Sequence, residues 1–175
     1  MTIQGVYLDP VRIRTSDFQE FDQRFGNKLV SMYEVNYAEV VNGYLGDEDE
    51  WDNTIYYHGT SHCGCLDQRI VNPENDRVPV YAWCENTECS TNSLLNSGFL
   101  KTKSPRGHFF SPQVETARAC ATNMGLTAAP NSRLLSIFVC ISRSPQHTGG
   151  ASCDDYHFVS RDNDILPVYI AIVRK

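Results

Sequence analysis

The chain alternates short apolar runs with turn signals. Ile3 to Leu8 is apolar and ends at Asp9-Pro10, which predicts a strand followed by a turn. Thr15-Ser16-Asp17 offers a helix N-cap, and Phe18, Phe21 and Phe25 recur at spacings of three and four. That spacing predicts a helix with three rings on one face, stopped by Gly26-Asn27. Alternation resumes over Lys28 to Asn36 and predicts a strand, followed by a helix over Tyr37 to Leu45.

Beyond the acidic run Asp47-Glu48-Asp49-Glu50, the β-branched and aromatic Thr54-Ile55-Tyr56-Tyr57 predicts a buried strand ending at His58-Gly59. Residues 61 to 93 have little periodicity, and Pro73, Asn75-Asp76 and Pro79 mark turns there. Gly98-Phe99-Leu100 and Gly107 to Ser111 are brief Gly-led strand signals, and Gln113 to Asn123 predicts a helix behind Pro112. Leu134 to Ile141, Tyr156 to Val159 and, after Pro167, Val168 to Val173 read as strands. Short strands mixed with short helices over 175 residues predict one α+β domain spanning 1–175, with an irregular insertion at 61–93.

Charge narrows the partners. A net charge of -6 argues against unspecific nucleic-acid binding, which depends on Lys and Arg displacing counterions from phosphates. No apolar run has the length of a membrane span, and the first ten residues lack the basic start and apolar stretch of a signal peptide, so the expected location is cytosolic or nuclear. Seven cysteines without a secretory signal are expected to be reduced or metal-bound. Cys63, Cys65, Cys84 and Cys89 crowd into the insertion, whereas Cys120, Cys140 and Cys153 stand apart as small apolar fillers.

Four short motifs then fall in a recognisable order. Tyr56-Tyr57-His58-Gly59-Thr60, Gly98-Phe99, Gly107-His108-Phe109-Phe110-Ser111 and Ile165-Leu166-Pro167-Val168-Tyr169-Ile170 together resemble the poly(ADP-ribose) polymerase branch of the ADP-ribosyltransferases, over about residues 28 to 173. The resemblance implies two packed, mainly antiparallel sheets with short helices, and a site for NAD+. It implies that His58 hydrogen-bonds a ribose hydroxyl of NAD+ and that the backbone of Gly59 holds the nicotinamide amide, where a side chain would obstruct.

The family's next residue is a tyrosine packed on the nicotinamide ribose, and the matching position is Phe109, which keeps the ring and lacks the hydroxyl. A family serine and tyrosine that grip nicotinamide fall by ungapped count on Ala117 and Cys120, with Thr116 adjacent. Thr60, Ser111 and Thr116 complete the NAD+-contacting set so implied. The catalytic glutamate before the penultimate strand falls on Tyr156, or on Asp155 if one residue bulges. Lack of that glutamate implies transfer of single ADP-ribose units rather than chain growth. Arg106 and Arg118 are further candidates for a pyrophosphate.

The cysteine cluster resembles an insertion of some, largely fungal, members of this family. Cys63, Cys65, Cys84 and Cys89 are four soft ligands suited to structural Zn2+, with His62 an alternative to one of the closely spaced Cys63 and Cys65. Free thiols and disulfides are the other readings. Two functions follow from the resemblance: an NAD+-dependent mono-ADP-ribosyltransferase, with a protein as the expected acceptor, or an inactive domain of the same fold serving as a binding module. A zinc-stabilised interaction domain outside the superfamily is a third.

Overall fold

Thr15 fixes the start of the first helix. In the computed structural model, which describes residues 7–36, 51–60, 78–79, 108–119, 121, 133–143, 157–159 and 165–175, its hydroxyl accepts from the Phe18 N–H at 3.3 Å, opening α1 (Ser16–Arg24). Phe25 caps the other end. The Gly26 N–H bonds to the Gln23 carbonyl and the Asn27 N–H to the Asp22 carbonyl at 2.8 Å. Gly26 and Asn27 have φ of 63° and 62°, so this is a Schellman stop at the residues where the pattern predicts one. Phe18, Phe21 and Phe25 are buried.

Among the described residues there are eight strands: β1 (Tyr7–Pro10), β2 (Leu29–Asn36), β3 (Trp51–Thr60), β4 (Val78–Pro79), β5 (His108–Phe110), β6 (Leu134–Arg143), β7 (His157–Val159) and β8 (Ile165–Arg174). Six form one sheet in the order β3-β6-β8-β2-β1-β4, while β5 and β7 form a second, two-stranded sheet. Every pairing is antiparallel. The architecture is α+β, with helical residues 114–119 and 121 beside α1. No helix among the described residues is long and apolar enough to cross a membrane.

Both faces of the large sheet are buried near its centre. On one, Leu29, Met32, Tyr57, Leu135, Ile137, Val139, Ala171 and Val173 pack with Phe18 and Phe21 of α1, with its cap Phe25 and with Ala117 and Ala121. The other carries Leu8, Tyr33, Val35, Phe138, Ile170 and Ile172, all below a tenth exposed. Strand alternation divides the two sets.

Pro167 corrects one expectation. It lies inside β8 rather than ahead of the last strand, opposite Cys140. A register shift between Val139 and Cys140 places a bulge there, and the pairing of β8 with β2 extends only to Tyr169. A missing N–H is tolerated at such a position. The helix expected over Tyr37 to Leu45 and the strand signal Gly98-Phe99-Leu100 lie outside the described residues.

Candidate functional site

His58 sits near the end of β3, with its backbone opposite Phe138 of β6. Tyr57 faces the α1 side, 3% exposed, its ring edge-on to Phe25 at 5.7 Å between centroids. The Arg24 guanidinium donates to the Tyr57 hydroxyl at 3.4 Å and to Glu20 at 3.0 Å. The hydrogen bond to that phenol, and after it the Glu20 carboxylate, raise the Arg24 pKa above its ordinary value, against the lowering effect of burial. Because successive residues of a strand alternate, the buried Tyr57 obliges His58 to face the opposite side. There the imidazole packs on Phe110, with ring centroids 5.0 Å apart and planes inclined at 40°.

The second motif reaches this point through backbone pairing. Tyr57 and Ser111 exchange two hydrogen bonds, N to O at 2.7 Å and 3.0 Å, which tie the end of β5 to the free side of β3. Phe109 pairs with Phe158, and Phe110 with His157, the first residue of β7. Segments near 58, 110 and 157 therefore meet. Asp155 and Tyr156, two positions and one position before β7, lie outside the described residues, as do Cys63, Cys65, Cys84, Cys89, His62, Arg106 and Cys120. Among the described residues no group of three or more His, Cys, Asp and Glu is placed to hold a metal.

The exchange between Tyr57 and Ser111 also orients Gly59. Backbone N–H and C=O groups alternate sides along a strand, so those of Gly59 point the same way as those of Tyr57, away from β6 and along the edge beyond Ser111. The missing side chain of Gly59 has its own explanation. A Cβ built there would strike the Ala117 carbonyl and lie 2.8 Å from the Ala121 N. Ala117 and Ala121 therefore lie directly against the strand.

Ser111 is 2% exposed, and its hydroxyl accepts from the Gln113 N–H at 3.0 Å, a local bond that sets up the turn into residues 114–119. Thr116 is half-buried on that helix. Arg118 lies 3.9 Å from Glu115, one turn away, with 16% of its side chain exposed. Thr60 ends β3, its backbone opposite Ser136. Phe110 was not singled out as a site residue in the sequence. Two adjacent phenylalanines gave no cue to which ring meets His58, and the cue lies in the pairing of Tyr57 with Ser111. No family model matches the sequence, and no curated protein matches it significantly.

Proposed function

We propose that this chain has the ADP-ribosyltransferase fold and acts as an NAD+-dependent mono-ADP-ribosyltransferase, releasing nicotinamide and modifying a protein acceptor. The observation that carries the reading is the convergence of three distant segments. His58 of β3 packs on Phe110 of β5, and Phe110 pairs with His157 at the start of β7, directly after Asp155 and Tyr156. The family's three functional segments would have to meet in this way, and chance motifs have no reason to do so.

In this reading His58 bonds a ribose hydroxyl of NAD+, and the edge-facing N–H and C=O of Gly59 bind the carboxamide as donor and acceptor. Phe109, Thr60 and Thr116 complete the NAD+-contacting set of this reading. The glycosidic bond between ribose C1′ and the nicotinamide nitrogen breaks, and its electron pair leaves with nicotinamide. The acceptor nucleophile bonds to C1′ and loses its proton to a carboxylate, that of Asp155 or one carried by the acceptor. Positive charge developing on the ribose is stabilised by that carboxylate or by Tyr156. Structural zinc on the thiolates of Cys63, Cys65, Cys84 and Cys89, ordering the 61–93 insertion, is part of the same proposal.

A second reading keeps the pocket without the reaction. Ala117 brings no hydroxyl and presses its carbonyl against Gly59, while the Ser111 hydroxyl is engaged with Gln113. Both favour a module that binds ADP-ribose or a protein. Calorimetric titration with NAD+ and a non-hydrolysable analogue, beside His58→Ala and an assay for free nicotinamide, separates the two. Binding lost in His58→Ala with nicotinamide release supports the enzyme; binding without release supports the module. No binding at all defeats the enzyme and the ADP-ribose module, and leaves a module that recognises a protein.

A further inference from the structure

Tyr56 shares a face of β3 with His58. The two flank Tyr57, whose ring is buried among α1 and its neighbours, so alternation turns both to the opposite side, about 6.5 Å apart along the strand. Tyr56 and His58 are both partly exposed. Their backbones pair with Cys140 and Phe138 on β6, and Cys140 and Phe138 are fully buried. A partly exposed tyrosine therefore shares this face with the imidazole, next to two buried residues of β6.

Resting on the NAD+ site proposed above, we propose that Tyr56 is a further ligand-binding residue, donating its phenol hydrogen bond to the ADP-ribose portion of the ligand. The geometry along β3 sets the direction. If the carboxamide is held at Gly59 and a ribose at His58, the rest of an extended dinucleotide continues past His58 towards Tyr56. The chemistry fits as well, since riboses and pyrophosphate are rich in acceptors and a phenol is a donor.

The test is titration of the full chain and of Tyr56→Phe and His58→Ala with NAD+, ADP-ribose and nicotinamide. Tyr56→Phe keeps the ring and the strand preference, so the fold is retained. Loss of one such hydrogen bond weakens NAD+ and ADP-ribose about 3- to 10-fold and leaves nicotinamide unchanged. Equal affinities in Tyr56→Phe and the parent chain, with NAD+ binding lost in His58→Ala, overturn the role of Tyr56 and leave the site standing. A parent chain that binds none of the three, or His58→Ala that binds NAD+ as the parent does, overturns the site and Tyr56 with it.

Discussion

The carbonyl of Ala117 rests against Gly59 on the side where a side chain would project, with the Ala121 N–H closing in behind it. Glycine in the His-Gly-Thr element is thus required by packing, whatever ligand the backbone edge holds. Gly59→Ala must push backbone aside and should cost about 1–3 kcal/mol, read as a lower urea midpoint with unchanged slope. Gly26 has the opposite reason for being glycine: open space around it and a φ of +63°. Gly26→Ala should cost about 1–2 kcal/mol from the left-handed backbone alone. Loss of stability at Gly26 but none at Gly59 would show that Ala117 and Ala121 do not lie on β3 as described.

Phe110 links the two sheets at His58. It is 1% exposed, so Phe110→Ala opens a cavity costing about 3–5 kcal/mol and endangers the fold. Phe110→Leu is the informative change. It should cost about 1–1.5 kcal/mol and, by removing the flat surface on which the imidazole rests, weaken NAD+ more than nicotinamide in the same titrations. Unaltered NAD+ affinity in a folded Phe110→Leu would mean that the ring does not orient His58 for the ligand.

These contacts show where the sequence was legible and where it was not. The ring spacing of Phe18, Phe21 and Phe25, with Thr15 before and Gly26-Asn27 after, is local information, and α1 forms as read. Strand composition placed β2, β3, β6 and β8 for the same reason. Pro167 misled because its effect depends on whether a partner needs its N–H, and the bulge opposite Cys140 that removes the need is a property of the pairing. The meeting of His58 with Phe110, and of Gly59 with Ala117, depends on which strand lies beside which. Neither is encoded within any window of the chain.

Cys140 is fully buried, and burial pushes its thiol well above the ordinary range. Iodoacetamide at neutral pH should leave it unmodified in the native chain and label it in denaturant, because the thiolate is the reacting form. The zinc proposal makes a contrasting prediction for Cys63, Cys65, Cys84 and Cys89. They should be protected until a chelator is added, with about one zinc per chain by elemental analysis. Rapid labelling of those four without chelator, in a chain free of zinc, would remove the metal from the account; native labelling of Cys140 would contradict its burial in β6.

Tyr169 gives the chain an alkaline limit. Burial, and then the carboxylates of Glu34, Asp17 and Glu20, raise its pKa above the ordinary tyrosine value, while its ring keeps a tilted contact with Phe21 at 5.2 Å. Below about pH 10 the phenol is protonated in both folded and unfolded chains, so its contribution to stability is fully present. Above that value the unfolded chain releases a proton that the folded chain retains, and stability falls until the folded phenol also ionises. Cys140 acts in the same direction from a lower pH, so the informative quantity is the difference between the parent chain and Tyr169→Phe. Melting temperatures between about pH 8 and pH 11 should fall less steeply in the variant, while at neutral pH the two should nearly coincide because the ring is kept. Parallel alkaline slopes would mean that the phenol is solvated and feels none of the three carboxylates.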